Sequence, residues 1–192
     1  MLATRLNRHN KMDKNNDQDF ELLVKKHLLS VYNFVARFTG DLAEANDITQ
    51  EAFLKAWKNF KKFDQTKNFK TWIFTIARNT SLDWLRKRRP TAFSALQKFS
   101  NENDEAFDVS DESLVSAEEI FDIKKDSERL SGILKKLSPL QQTVIMLKVN
   151  ENLTFQSMSE ILGEPLNTVK SRYRRALASL KAKMMDAPNK LK

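Results

Sequence analysis

The chain has 192 residues and a formal net charge of +8, with no cysteine, two histidines, three glycines and four prolines. The lack of cysteine excludes disulfides and thiolate metal ligands. Apolar residues recur at helical rather than alternating spacing, which predicts an all-α fold. No apolar run approaches the roughly 20 residues that span a bilayer, and the polar start lacks the apolar core of a secretory signal. We therefore expect a soluble, cytoplasmic protein.

The charge is unevenly distributed along the chain. Residues 61–90 carry nine Lys and Arg against two acids, and residues 163–192 carry eight against two. Residues 91–128, in contrast, carry three Lys against eleven acids. Two basic segments around an acidic one favour a protein with two polyanion-binding surfaces, although a solvated Lys-rich surface gives the same total.

The N-terminal half predicts a small helical domain at residues 18–90, preceded by a disordered arm at residues 1–17. Apolar residues follow one face in residues 20–38, 42–60 and 69–89, which indicates three helices. Gly40 ends the first helix and Pro90 breaks the third. The aromatic residues of these helices are numerous enough to form a core of their own.

Residues 91–125 predict an acidic, mostly extended linker, with one short helix near residues 117–125. A second helical domain follows at residues 126–186, and residues 187–192 form a tail. Ser138 and Gln141 fit a capping box around Pro139 at the first helical position. Thr154 can cap the next helix, which Gly163 ends, and Asn167 is predicted to cap the last helix, which runs to about residue 185.

The last two helices predict a helix-turn-helix that enters a DNA major groove. Apolar residues of the final helix are expected to pack inward: Val169, Tyr173, Ala176, Leu177 and Leu180. Lys170, Ser171 and either Arg174 or Arg175 then face outward. Arginine suits guanine because its planar guanidinium donates two hydrogen bonds to N7 and O6. The alternative is a basic surface helix without a specific ligand. The candidate DNA contacts are Thr168, Lys170, Ser171, Arg172, Arg174 and Arg175.

Residues 60–89 interleave aromatic and basic side chains. Duplex DNA needs only the cations, whereas unstacked bases gain from aromatic rings that restore lost stacking. Asn79 adds an amide that can bind a base edge. The alternative is that the rings are core residues, and this is the preferred interpretation for Phe53, Phe69 and Trp72, less so for Phe63.

The second helix begins with several acidic and polar residues, including Asp47, Gln50 and Glu51. The helix dipole explains acids in a first turn, but these residues lie beside Phe53 and Leu54 and also fit a protein-docking face. Catalysis finds little support, since there is no Gly-rich phosphate loop, cysteine nucleophile or cluster of metal ligands. We predict a non-catalytic protein without metal or cofactor.

Three segments together resemble bacterial sigma factors of the extracytoplasmic-function (ECF) group of the sigma-70 family, which keep only regions two and four. DITQEAFLKAW at residues 47–57 is similar to the region-two helix that docks on RNA polymerase. FKTWIFTIARNT at residues 69–80, followed by DWLR at residues 83–86, is similar to the promoter-melting helix. LSPLQQTVIML at residues 137–147 and the segment 162–176 resemble region four. The resemblance covers residues 18–90 and 126–185.

The resemblance implies a dissociable promoter-specificity subunit that binds core RNA polymerase and promoter DNA. Region four would read the minus-35 duplex, while region two captures a flipped base of the melted minus-10 strand. The acidic linker would thread the polymerase channel, and an anti-sigma factor would hold the chain inactive, so that it is tethered only indirectly to the membrane. The implied polymerase contacts are Asp47, Gln50, Glu51, Phe53, Leu54 and Trp57. The implied minus-10 contacts are Phe63, Asp64, Lys67, Asn68, Trp72, Asn79, Arg86 and Arg88.

Three positions depart from the family pattern. Asn167 stands where Gly is common, Ser159 where Ala is usual, and the loop at residues 63–68 lacks the frequent Gly. Two other classes of function stay open at this point. One is a stand-alone helix-turn-helix regulator whose N-terminal helices dimerise or sense a signal, and the other is a basic adaptor that binds RNA or an anionic membrane through net charge alone.

Overall fold

The structure, a computed structural model, describes residues 2–91, 94 and 132–185, with side chains described from residue 17 onward. These residues form helices and turns, with no strand among them. Most of the predicted linker and the whole tail lie outside the described residues. The N-terminal helices are α1 (Leu2–Thr39), α2 (Leu42–Asn59) and α3 (Phe69–Arg88), with a 3₁₀ turn at Phe60–Lys62. The C-terminal helices are α4 (Pro139–Ile145), continued by a π-helical turn (Met146–Asn150), α5 (Phe155–Leu162) and α6 (Leu166–Met185).

The first helix is longer than predicted, because its backbone is helical from Leu2 instead of forming a disordered arm. No glycine or proline precedes Gly40, so nothing in this stretch removes a helical hydrogen bond. Gly40 adopts the left-handed φ of 66° and ends α1 as predicted. The Asp41 carboxylate then accepts hydrogen bonds from the first backbone N–H groups of α2.

Helices α1, α2 and α3 pack on one another around a core of fully buried side chains. Phe34 and Phe74 meet edge to face there, with ring centroids 5.2 Å apart. Burying each such side chain stabilises the fold by roughly 1.5–3 kcal/mol. The core includes Val31, Val35, Ile48, Ile73 and Leu85. This packing buries one side of α3 against α1 and α2 and leaves its other side, called here the outer side, facing away from them.

The C-terminal helices pack together, and their buried side chains belong to the same hydrophobic core as those of the N-terminal helices. The capping box is confirmed: the Ser138 hydroxyl accepts from the Gln141 N–H, and the Gln141 side chain accepts from the Ser138 N–H. Helices α4 and α5 both pack against α6. The largest fully buried side chains of this unit are Val144, Leu147, Met158, Ile161 and Leu180.

The two helical units are in direct contact, in contrast to the expected arrangement of separate domains on a flexible linker. Helix α1 packs against α4, and α3 packs against α5. A methyl group added at Gly40 would lie 3.7 Å from Cγ of Pro139, and Nη1 of Arg37 lies 3.6 Å from Sδ of Met146. The promoter-melting helix of the resemblance therefore lies against the first helix of the helix-turn-helix.

Candidate nucleic-acid interface

The helix-turn-helix consists of α5 and α6. The Thr154 hydroxyl accepts from the Ser157 N–H at the start of α5, as predicted. Gly163 ends α5 with a left-handed φ of 64°, also as predicted. The predicted cap at Asn167 is wrong, because α6 already begins at Leu166 and the Val169 N–H bonds the Pro165 carbonyl. The fixed φ of Pro165 suits the residue before a helix, so α6 starts directly after it.

The inward face of α6 is the predicted one, since Val169, Tyr173, Ala176, Leu177 and Leu180 are all buried. The candidate DNA contacts divide into two groups. Arg174 is exposed, and Lys170, Ser171 and Arg175 are half-buried. Thr168 and Arg172 are buried, at 9% and 7% exposure, so in this conformation they are not presented to a duplex. They lie one turn apart at the edge of the inward face, although both are among the candidate DNA contacts.

Arg172 is held by an acid that the sequence analysis did not single out. Its Nε and Nη2 atoms each donate to the Glu164 carboxylate over 3.1 Å. Both side chains are largely buried, with 8% and 13% exposure. Two parallel charge-assisted bonds fix the guanidinium plane. The pair could not be predicted from helical spacing, because Glu164 lies in the turn before α6 and not on the helix itself.

Three aromatic rings, those of Phe63, Phe69 and Trp72, form a cluster at the loop of residues 63–68. The Phe63 ring lies 4.6 Å from Trp72 and 5.7 Å from Phe69, measured between centroids. Phe69 and Phe53 are buried core residues, whereas Phe63 and Trp72 are only half-buried. Of these three clustered rings, Phe63 and Trp72 are therefore the accessible ones.

Two predicted minus-10 residues shape the loop itself. The Asn68 side chain caps α3 by accepting from the Lys70 and Thr71 N–H groups. The Asp64 carboxylate accepts from the N–H and the hydroxyl of Thr66, and these bonds lower its pKa. The Lys67 side chain is exposed. Polar residues here thus order the backbone that follows Phe63.

The outer side of α3 carries the amide and the cations of the predicted minus-10 surface. Asn79 is exposed and its Oδ1 accepts from Arg78 over 3.0 Å. It lies eleven residues beyond Asn68, about 16 Å along the helix axis. Arg86 and Arg88 are exposed at the far end, where Arg86 pairs with Asp83 over 3.2 Å. The loop and Asn79 are consequently separate parts of one surface, with Asn79 near the middle of α3.

Region-four residues cover part of this α3 surface. Lys70 Nζ lies 2.6 Å from a carboxylate oxygen of Glu151 and also donates to the Glu151 carbonyl over 2.8 Å. The Arg78 guanidinium packs on the turn between α5 and α6, 3.3–3.5 Å from where a methyl group on Gly163 would lie. Burial lowers the pKa of Arg78, and the nearby Glu164 carboxylate opposes that shift.

The candidate polymerase surface is a stripe along α2. Asp47, Gln50 and Glu51 are exposed, and they continue into Leu54 at 59% and Trp57 at 40% exposure. Such spacings place these residues on one helix face. Phe53 is instead a core residue with 7% exposure on the side of α2 that packs inward, so this conformation does not present it on the stripe.

Among the described residues there is no group of three or more side chains suited to a metal ion. None of the described helices is long and apolar enough to cross a membrane. What the described chain presents is a set of three surfaces: the α2 stripe, the outer side of α3 with its loop, and the outward side of α6.

Comparison with known proteins matches the two helical units to two protein families. The family described as Sigma-70 region 2 matches residues 23–91, and the family described as Sigma-70, region 4 matches residues 127–180. Similar solved structures include the sigma factor RpoE of Bartonella quintana in complex with the anti-sigma factor NepR. Its TM-score is 0.62 at 24% identity, over 88% of this chain and 98% of that one. CnrH in complex with the cytosolic domain of CnrY has a TM-score of 0.57 at 22% identity, over 90% and 91%.

Curated relatives give the same result at the level of sequence. The ECF RNA polymerase sigma factor SigW of Bacillus subtilis is 31% identical over 177 residues, which is 92% of this chain and 95% of SigW. The RNA polymerase sigma factor YlaC of the same organism is 28% identical over 85% of this chain and 91% of YlaC. The family predicted from the sequence is confirmed: the chain belongs to the ECF sigma factors of the sigma-70 family, which direct RNA polymerase to promoters.

Proposed function

We propose that this sigma factor divides promoter recognition between α6, which reads the minus-35 duplex, and α3, which captures a melted base of the minus-10 strand. The observation that carries the proposal is the outer side of α3. It combines two half-buried rings, Phe63 and Trp72, with an exposed amide and a cationic end. Rings that stay accessible beside cations offer stacking to unpaired bases, about 1–3 kcal/mol for each base.

In region four, the outward residues of α6 make the base and phosphate contacts. Lys170, Ser171 and Arg175 lie within the first three turns of the helix, the part that enters a major groove in helix-turn-helix proteins. A bidentate arginine contact to guanine contributes roughly 1–3 kcal/mol of discrimination, whereas phosphate contacts add affinity without sequence preference. Arg174 is exposed and adds to the positive charge of the same helix. Arg172 joins these contacts only if its pairing with Glu164 is exchanged for DNA.

The α2 stripe is the surface for core RNA polymerase. Leu54 and Trp57 give it an apolar centre, and the acids at its start give it a negative rim. An interface of this type is usually dominated by a few apolar or aromatic anchors surrounded by polar residues. The chain acts in the cytoplasm. It is a non-catalytic subunit, because base capture shifts the melting equilibrium of the promoter without making or breaking a covalent bond.

A regulatory partner of the anti-sigma class is part of the proposal. The solved RpoE neighbour is bound to such a factor, NepR. RpoE shares 24% sequence identity with this chain. The similarity in fold supports a partner of this class but does not identify the partner. The partner would act by keeping the α3 and α6 surfaces from promoter DNA.

The experiment is transcription by purified core RNA polymerase from promoter-bearing DNA, with and without the chain, followed by mapping of start sites. The proposal predicts new, specific starts that appear only when the chain is present. It also predicts that Arg175→Ala weakens these starts in a base-dependent manner. Tight duplex binding by the chain alone, without any core-dependent start, would favour a stand-alone regulator instead.

A further inference from the structure

The turn between α5 and α6 contains an acid, Glu164, whose backbone is tied to α5. The Ser159 hydroxyl donates to the Glu164 carbonyl over 2.6 Å, and the Glu164 N–H bonds the Ser159 carbonyl over 3.3 Å. Ser159 stands where the family usually has Ala, which offers no hydroxyl. Both backbone polar groups of Glu164 are therefore held by one residue of α5.

The side chain of Glu164 extends from this anchor to α6. Nε and Nη2 of Arg172 each donate to its carboxylate over 3.1 Å, and the two side chains are only 8% and 13% exposed. Arg172 lies six residues beyond Leu166, the first residue of α6, which is about 9 Å along the helix axis. A carboxylate anchored on α5 thus holds the second turn of α6.

The held turn is the one that carries the proposed minus-35 contacts. Arg172 follows Ser171 directly and lies one turn before Arg175 on the same side of α6. A side chain that recognises a base edge must be held within about 0.5 Å and 10–20° of its productive geometry, and this requires supporting hydrogen bonds behind it. The pair of Glu164 and Arg172 is placed to supply that support.

Arg172 is poorly suited to contact DNA itself. Moving its guanidinium to a phosphate would leave the largely buried Glu164 carboxylate without this partner, and a buried charge that loses its partner is strongly destabilising. The gain would be a phosphate contact of the kind that any exposed cation of α6, such as Arg174, can make. The exchange is therefore unfavourable, and the pair stays intact on DNA.

We propose that Glu164 and Arg172 are positioning residues of the minus-35 reader: their ion pair ties α6 to α5 and sets the angle at which Lys170, Ser171 and Arg175 reach the bases. Neither Glu164 nor Arg172 contacts DNA in this arrangement, so Arg172 leaves the set of candidate DNA contacts. The proposal rests on the proposed function, because it concerns the angle at which α6 reads the minus-35 duplex.

The first test is the salt dependence of duplex binding by the full chain. The double variant Glu164→Gln with Arg172→Met keeps the formal net charge at +8 and leaves neither member of the pair charged, so it should fold even where a single variant does not. Each phosphate that loses its cation lowers the slope of log affinity against log salt by about 0.9. The double variant should keep the wild-type slope.

A matched control removes the same two charges elsewhere in region four. Glu160 is exposed on α5, and Lys170 lies among the proposed contacts of α6. Glu160→Gln with Lys170→Met therefore also keeps the net charge at +8, but it should lower the slope by about 0.9. Because the two double variants have equal net charge, a difference in slope reports a lost contact with DNA.

The second test is base discrimination, measured as the ratio of affinities for a duplex that the wild-type chain selects from a random pool and for its single-base variants. A well-placed bidentate contact discriminates by about 5- to 150-fold. Glu164→Gln and Arg172→Met should each reduce the ratio at least about fivefold, and the double variant should be no worse than either, because the pair acts as a unit. The reversed pair, Glu164→Arg with Arg172→Glu, should recover part of the ratio.

Two further controls assign the effect to the pair. Glu164 also lies near Arg78 of α3, which Arg172→Met leaves unaltered, so equal effects of the two single variants place the cause in the ion pair. Circular dichroism at 222 nm should show unchanged helix content in the double variant. A pair that only stabilises the fold would lower the melting temperature without changing the ratio, and that result would overturn the positioning role.

The failure of this proposal and that of the proposed function are distinguishable. A slope that falls by about 0.9 in the double variant would make Arg172 a phosphate contact and overturn the proposal, while the wild-type chain still selects a sequence and α6 remains the reader. A wild-type chain that selects no sequence from the pool would instead refute minus-35 reading by α6, and the positioning role with it.

Discussion

Substitution of Gly163 by alanine tests the turn between α5 and α6. It should destabilise the fold, whereas the same substitution at another glycine should stabilise it. Gly163 has a φ of +64°, and a methyl group there would lie 3.3 Å from Nη2 of Arg78. Gly132 lies in a helical stretch, and a methyl group there would meet nothing within 4 Å. Gly163→Ala and Gly132→Ala therefore add the same methyl group in two different backbone environments.

The magnitudes follow from backbone sterics. A non-glycine residue in the left-handed region costs about 1–2 kcal/mol, while replacing glycine by alanine in a helix stabilises by roughly 0.5–1 kcal/mol. The contact with Arg78 adds little, because a long side chain can shift by a few tenths of an ångström. For a chain of this length 1 kcal/mol corresponds to about 2–4 °C in the melting temperature. We expect Gly163→Ala to lower it by about 2–8 °C and Gly132→Ala to raise it by about 1–4 °C.

The assay is thermal unfolding of the full chain followed by circular dichroism at 222 nm, with Gly163→Asn as an intermediate case. Asparagine tolerates the left-handed region better than alanine, so its loss should be smaller. An unchanged or higher melting temperature for Gly163→Ala would refute the left-handed turn, and with it the orientation assigned to α6.

Four further predictions concern the core, a helix cap, pH and the polymerase surface. Phe74→Ala should lower the free energy of unfolding by about 3–5 kcal/mol in urea titrations, because the ring is fully buried; a loss under 1 kcal/mol would contradict this packing. Ser138→Ala should cost about 1 kcal/mol through loss of the capping box, measured in the same way, and no loss would mean that the cap is not formed. Burial, followed by Lys26 and Lys70, lowers the pKa of His27 below its usual 6.5, so folding favours the neutral ring. Stability should therefore fall as the pH drops below 6.5, and His27→Gln should reduce that fall; an identical pH profile would rule out this origin. Leu54→Asp should change stability by less than about 0.5 kcal/mol, since the side chain is exposed. It should weaken binding to core polymerase at least tenfold in a titration, and unchanged affinity would move the docking surface elsewhere.

Local sequence signals predicted the helix boundaries well. The capping box at Ser138, the cap at Thr154 and the helix end at Gly163 each depend on residues within a few positions, and each was found as predicted. The cap at Asn167 failed because asparagine is a good cap in general, whereas the helix already begins at Leu166, directly after Pro165. The capping preference correctly predicted a new helix here, but it placed the start of α6 two residues too late.

The candidate site was less predictable where it depends on contacts between distant residues. Phe53 lies on the same helix as the exposed Leu54 and Trp57. Helical periodicity alone did not show that Phe53, at the boundary of the two faces, belongs to the core and not to the docking face. The pairing of Arg172 with Glu164 and that of Lys70 with Glu151 join elements whose relative position the sequence does not encode locally. These contacts arise from the packing of the two units, which no helical period or cap signal reports.

The central claim is that α6 binds the minus-35 duplex and α3 captures the melted minus-10 strand. Strand opening per bound complex, measured together with promoter occupancy, tests this claim most directly. A promoter carrying 2-aminopurine in its minus-10 element reports melting by fluorescence, while anisotropy of an end label reports binding by the reconstituted polymerase. We predict that Arg175→Ala reduces occupancy but leaves the fluorescence of each bound complex unchanged. Asn79→Ala should bind the duplex with near-normal occupancy and lose most of the fluorescence increase. Equal effects of both variants on occupancy and on melting, or melting by the chain without core polymerase, would contradict the account.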